Sequence, residues 1–194
     1  MLVGVAGPKG SGKDTLAARL KLHMPTAVVR PFAEPLKRTC QQMYLLSEEQ
    51  LYDEAAKERL DERWNLTPRQ MFQQVGTDYV RRQLDPNFWL KHFELWYSKH
   101  CELSNSKHCE LWYNQTGVVQ DVVLVPDVRF QNEVDLIHRL GGKVVYVYRP
   151  FVHGADSHES EVSAVDLQHI DYTVNNCSTL ANFYQEIDAF MKKF

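Results

Sequence analysis

The stretch Leu2-Val3-Gly4-Val5-Ala6-Gly7-Pro8-Lys9-Gly10-Ser11-Gly12-Lys13-Asp14-Thr15 decides the fold. Its first five residues are apolar and partly β-branched, the pattern of a strand buried on both faces. Glycines follow at 7, 10 and 12, and Lys13 opens a helical segment that runs to Leu22. A strand, a glycine-rich turn and a helix with a lysine at its start form the context that a phosphate-binding P-loop requires. Glycines let backbone N–H groups turn inward around phosphate oxygens, and the helix N-terminus adds a favourable dipole. Lys13 places a point charge where negative charge must be stabilised during phosphoryl transfer. A glycine-rich turn before an ordinary helix would need neither the lysine nor its spacing.

A Ser or Thr usually follows the lysine of such a loop, but here Asp14 does, with Thr15 one place later. A hydroxyl at that point would ligate Mg²⁺. Asp14 could bind the ion directly, hold a metal-bound water, or leave the task to Thr15, since oxygen ligands of any of these kinds suit Mg²⁺. Asp14 could also serve as general base for a hydroxyl acceptor. A phosphate acceptor would need no base, because its second pKa of about 6 leaves it largely ionised at neutral pH.

Working outward, Thr26–Arg30, Val122–Val125, Val144–Tyr148 and Tyr172–Val174 repeat the short apolar pattern of the first strand. Helical segments lie between them. Thr67-Pro68-Arg69-Gln70 predicts a helix start with Thr67 as N-cap, Pro68 at N1 and a capping box closed by Gln70. Met71, Phe72, Val75 and Tyr79 then fall on one face at helical spacing. Gln131–Leu140 runs into Gly141-Gly142, a C-cap signal, and Leu180–Lys193 ends in basic residues that oppose the negative end of its dipole. Strands alternating with helices imply right-handed crossovers and a parallel, helix-covered sheet in a three-layer α/β architecture. At 194 residues the chain has room for one such domain, 1–194.

Asp121-Val122-Val123-Leu124-Val125-Pro126-Asp127 is a strand ending in a carboxylate. Ligands of open α/β sheets bind at the carboxyl ends of strands, so Asp127 is expected to face the phosphate loop, where it could orient Mg²⁺ through water. It could instead be the N-cap of the next helix. Arg129, two residues on, can fork two phosphate oxygens. Lys37 follows the second strand, and Arg69 sits in the first turn of its helix, where the dipole disfavours a cation. That placement points either to an anionic partner or to a solvated surface arginine. Arg149 ends a strand, and the His-, Gly-, Asp- and Ser-containing stretch after it, about 150–162, reads as a lid that would exclude water.

Composition narrows the classes. Hydrophobic residues make up 44% and charged ones 24%, ordinary for a globular protein, and the net charge of −3 argues against general nucleic-acid binding. Apolar runs of about six residues fall far short of the roughly 20 needed to span a bilayer. Met1–Ala6 lacks a basic leader, so it reads as a strand and not as an export signal. A cytoplasmic setting is expected, with Cys40, Cys101, Cys109 and Cys177 reduced. Ser98–Leu103 recurs as Ser106–Leu111, and Glu94–Tyr97 matches Glu110–Tyr113. The repeated His and Cys could suggest a metal cluster, but zinc spacing such as C-x-x-C is absent, and a tandem duplication in a tolerant segment accounts for the pattern.

The ordered motifs resemble the deoxynucleoside monophosphate kinases of bacteriophages and related viruses over nearly the whole chain. They are Gly-Ser-Gly-Lys-Asp-Thr (10–15), Phe-Ala-x-Pro-Leu-Lys (32–37), Gln-x-x-Gly-Thr-Asp-x-x-Arg (73–81) and Asp-Pro-Asn-Phe-Trp (85–89). Pro-Asp-Val-Arg-Phe-x-Asn-Glu (126–133), His-x-Ser-Glu (158–161) and Asn-x-x-Thr-Leu (176–180) complete the set. The resemblance implies a P-loop kinase fold with a five-stranded parallel sheet and a lid. It implies ATP as co-substrate, Mg²⁺ as cofactor, small nucleotides as partners, a possible homodimer, and the host cytoplasm if the source is viral. It places Gly7, Lys9, Gly10, Ser11, Gly12, Lys13, Asp14, Thr15, Arg149 and Asn176 with ATP, and Lys13, Asp14 and Arg129 in catalysis. Lys37, Arg69, Gln73, Trp89, Asp127, Arg129, Glu133 and Glu161 go to the acceptor, within segments spanning about 33–90 and the later motifs. Asp14, Thr15 and Asp127 go to the metal. The duplicated segment departs from the family's shorter connection.

Two other acceptors, phosphomevalonate and dephospho-coenzyme A, keep the same fold. A nucleotide-binding switch protein would use the loop without turnover. Phe32, Phe72 and Trp89 would suit a base pocket, although aromatic residues at helical spacing also serve as core.

Overall fold

In the computed structural model, residues 1–104, 122–150 and 165–192 are described. The duplicated segment beyond Ser104, most of the expected lid and Glu161 lie outside them. The described chain forms two compact units, one of residues 1–31 and 94–194, the other of residues 32–93.

The first unit is built on a parallel sheet of β1 (Leu2–Ala6), β2 (Val28–Val29), β3 (Val123–Val128), β4 (Lys143–Tyr148) and β5 (Tyr172–Asn175). Their spatial order is β2-β3-β1-β4-β5, so the first strand is central. All five of its residues are buried, which is why it carries no polar side chain. Val3 and Val5 pack with Leu16 and Leu20 of α1 (Lys13–His23) and with Phe183, Ile187 and Phe190 of α8 (Leu180–Met191). Side chains alternate along a strand, so Gly4 points to the opposite face. There a Cβ would strike Ile137 of α7 (Gln131–Arg139) at 2.4 Å. Glycine at position 4 thus lets α7 lie directly on the sheet, and helices cover both faces.

Helix α7 ends as its sequence predicts. Gly141 takes φ +75°, its N–H donates to His138 O at 2.9 Å and that of Gly142 to Ile137 O at 2.8 Å, the paired bonds of a Schellman cap. The second strand is shorter than expected, only Val28–Val29, as befits an edge strand with a single neighbour. The third runs two residues past Pro126 to Val128. The basic residues expected in the last turn of the C-terminal helix fall just after it, since α8 stops at Met191.

The second unit comprises α2 (Glu34–Tyr44), α3 (Glu48–Tyr52), α4 (Glu54–Glu58), α5 (Pro68–Gln73), a π-helix over Gln74–Leu84, and the first residues of α6 (Phe88–Ser104). Cys40, Leu46, Leu51 and Met71 form its core, with Leu36, Phe72 and Val75 against them. The predicted capping box at Thr67 is present: Gln70 N–H donates to Thr67 Oγ1 at 3.2 Å and Thr67 N–H to Gln70 Oε1 at 2.8 Å. Met71, Phe72 and Val75 lie on the core as expected. Beyond them, wider π turns close i→i+5 and change the side-chain period, so Gly76, Thr77 and Val80 turn inward while Tyr79 is exposed.

Candidate active site

The phosphate loop leaves the carboxyl end of β1, where Ala6 is in register with Val128 of β3 and Tyr146 of β4. Gly7 and Arg129 each stand one residue beyond that pairing, so the loop and the Asp127–Arg129 turn lie side by side. Gly7 has φ +141°, and a Cβ there would come within 2.8 Å of both Ser11 Oγ and Val147 O. Gly12 has φ +108°, with Asn176 Nδ2 2.8 Å from the position a Cβ would take. Side chains are therefore excluded at both ends of the loop, where only backbone can face a ligand.

Three of the loop's carbonyls accept hydrogen bonds from side chains. Pro8 O accepts from Ser11 N–H at 3.2 Å and from Lys13 Nζ at 2.8 Å. Gly10 O accepts from Arg149 Nη1 at 3.0 Å, and Ser11 O from Asn176 Nδ2 at 2.8 Å. Ser11 itself is fully buried, and its Oγ has no hydrogen-bond partner. The hydroxyl is packed against Gly7, while the N–H and carbonyl of residue 11 are engaged with Pro8 and Asn176, so Ser11 shapes the loop. Lys9 is half-buried beside Pro8.

Asp14 is exposed and Thr15 half-buried in the first turn of α1. Asp127 is half-buried within β3; it is not the cap of the next helix, because that helix begins only at Gln131. A carboxylate and a hydroxyl just past the loop and a second carboxylate on the adjacent strand make an all-oxygen donor set, which fits Mg²⁺. Glu133 is 2% exposed, and its Oε2 accepts the N–H groups of Arg129 at 2.7 Å and Phe130 at 3.1 Å. The carboxylate thus braces the turn that presents Arg129.

The remaining described acceptor candidates, Lys37, Arg69, Gln73 and Trp89, belong to the second unit. Arg69 is 8% exposed, and its Nε and Nη2 donate to Glu58 at 2.6 Å and Glu54 at 2.7 Å. The anion demanded by its poor position in the helix dipole is thus met by two carboxylates of α4. Lys37 Nζ lies 4.7 Å from the centre of the Tyr52 ring. The Tyr52 hydroxyl donates to Glu34, and burial together with that carboxylate pushes its pKa up to about 12. Gln73 is half-buried at the last position of α5. Trp89 is buried, and its Nε1 donates to Gly76 O at 3.0 Å. Phe32 is likewise buried, against Phe93 at 4.8 Å, and Phe72 packs on the core. All three therefore contribute to the packing of this unit. Sequence reasoning passed over Glu54, Glu58 and Tyr52. The i, i+4 spacing of the two glutamates was the available signal.

No helix among the described residues is long and apolar enough to cross a membrane, and no group of three His, Cys, Asp or Glu residues among them could hold a metal ion. Cys40, Cys101 and Cys177 are free thiols.

The sequence model of the family described as deoxynucleotide monophosphate kinase matches residues 46–187. A protein of Acanthamoeba polyphaga mimivirus that carries that name provisionally is 38% identical over 196 residues, covering 96% of this chain and 94% of its own length. The deoxynucleotide monophosphate kinase of Enterobacteria phage T4 is 26% identical over 133 residues, 69% of this chain but only 48% of the phage protein. A solved dephospho-CoA kinase from Campylobacter jejuni aligns over 99% of this chain and 96% of its own at 14% identity and a TM-score of 0.41, too loose a superposition to bear on the acceptor.

Proposed function

The chain belongs to the deoxynucleotide monophosphate kinase family, and we propose that it transfers the γ-phosphoryl group of ATP to a deoxynucleoside monophosphate, giving ADP and the diphosphate. The observation that carries the chemistry is the loop at the end of the central strand, where Gly7 and Gly12 have no room for a side chain and Lys13 folds back onto Pro8 O. Such a loop recognises phosphates through main-chain N–H groups, whatever the base.

Catalysis of this kind rests on positioning and positive charge. Lys13 holds the β- and γ-phosphates, and Arg129, braced by Glu133, neutralises charge on the group in flight. Arg149 and Asn176 serve the ATP side. Asp14, Thr15 and Asp127 would hold Mg²⁺, which when bound screens the charge of the triphosphate. On the acceptor side, Arg69 and Lys37 receive the monophosphate, and Gln73 supplies an amide for hydrogen bonding to the nucleotide. The acceptor oxygen is already ionised and needs no general base.

The test is an ADP-release assay with ATP and Mg²⁺ against dGMP, dTMP, dCMP, dAMP, their ribose forms, phosphomevalonate and dephospho-coenzyme A. Turnover on one or more deoxynucleotides is expected. Turnover confined to a non-nucleotide would overturn the acceptor, and ATP binding without any turnover would overturn the enzyme.

A further inference from the structure

We propose that Asn176 acts on the triphosphate through the phosphate loop, as a clamp on the Ser11 carbonyl, and makes no contact with the nucleotide base. The inference deepens the reading of residues 7–13 as the triphosphate site and rests on it.

A loop that turns its N–H groups toward phosphates must turn carbonyls the other way, and those carbonyls need donors of their own. Asn176 supplies one. Its position is set before its side chain acts: Asn175 is in register with Tyr148, and Asn176 N–H donates to Tyr148 O at 2.7 Å. From that fixed point Nδ2 reaches Ser11 O at 2.8 Å, across 165 residues of sequence. The same amide nitrogen occupies the space beside Gly12 that a Cβ would need, together with the Phe183 ring edge at 3.1 Å. Asn176 therefore pins the last turn of the loop just before it becomes α1. Arg149, the donor to Gly10 O, is exposed and reaches the loop on a longer stem, so it constrains less. One of the two Nδ2 hydrogens is engaged on the main chain, which fixes the amide against the loop.

The experiment measures binding of ATP, GTP and inorganic tripolyphosphate to the wild-type chain and to Asn176→Ala, by calorimetric titration with Mg²⁺ present. A clamp predicts the same loss for all three ligands, about tenfold, the net worth of one hydrogen bond, because the phosphates are what they share. A loss confined to ATP would overturn the proposal in favour of a base contact, and unchanged affinity for all three would overturn it as well. Asn176→Asp keeps the side chain's shape beside Gly12 and Phe183 but sets an acceptor against the carbonyl. It is expected to lose at least as much, uniformly, with a melting midpoint close to wild type, so a folding defect in the alanine variant leaves the proposal testable. Failure of wild-type protein to bind tripolyphosphate would instead sink the triphosphate reading beneath it.

Discussion

The phosphate loop of the first unit and the Arg69 cluster of the second are both read as sites for an anion, but they are built differently. The loop relies on main chain beside Lys13. Gly7 and Gly12 have no room for a Cβ, and three of the loop's carbonyls are tied by Lys13, Arg149 and Asn176. The Arg69 cluster relies on a side-chain charge that is balanced by Glu54 and Glu58. The first design is sensitive to shape and the second to charge balance, so substitutions in the two regions should fail in different ways.

The largest effect expected is from Lys13→Ala. Removing the cation from the transferring phosphates should lower kcat by about 10³-fold or more, with a melting curve like that of the wild type. A folded variant with normal turnover would break the assignment of the loop. Gly12→Ala comes next. A residue held at φ +108° is strained by about 1–2 kcal/mol, and its methyl would meet Asn176 Nδ2, so kcat/KM for ATP should fall about 100-fold, with little change in the KM of the acceptor.

Arg69→Ala sharpens the contrast from the other side. The acceptor's KM should rise about tenfold or more while that of ATP holds, and equal changes in both would erase the division of labour. Stability should fall by only about 1 kcal/mol, because Glu54 and Glu58 are largely exposed and return to water. Trp89→Phe removes the donor to Gly76 O and should cost about 1–2 kcal/mol in denaturant unfolding without altering nucleotide selectivity.

The smallest effect lies at the amino ends of β4 and β5, the opposite end of the sheet from the loop. Burial alone would raise the pKa of Asp171, but hydrogen bonds from Lys143, Val144 N–H and His138 outweigh it and hold the carboxyl below its usual range. A depressed folded-state pKa contributes stability that is present above the unfolded value of about 3.9 and is lost as pH falls through the folded one. Asp171→Asn should therefore flatten the decline in melting temperature on acidification below about pH 4. An unchanged acid limb in the variant would show that this carboxylate adds nothing there.

Much of the first unit could be read in advance because its determinants are local. A strand buried on both faces must be apolar throughout, loop positions with no room for a Cβ such as 7 and 12 must be glycine, and a Schellman end must meet Gly141-Gly142. The second unit resisted. The 3.6-residue period placed Tyr79 inward, and the π turns after Gln73 put Gly76, Thr77 and Val80 there instead. The aromatic residues that suggested a base pocket are packed within the core. Glu133 has the composition of a ligand-binding carboxylate, yet it caps the backbone that carries Arg129.

What the sequence by itself determined is the α/β class, the phosphate loop, the capping box at Thr67, the Gly141-Gly142 helix end, and the ordered motifs of a nucleotide kinase. Each of these depends on residues within a few positions of one another, where backbone sterics and hydrogen-bond reach leave few choices. The tertiary structure alone decided strand order, the partners of Arg69, the bracing of Arg129 and the reach of Asn176 to Ser11 across 165 residues. Those contacts join segments whose proximity follows from how the sheet is wound, and a charge or an amide acquires its role only from what is wound against it.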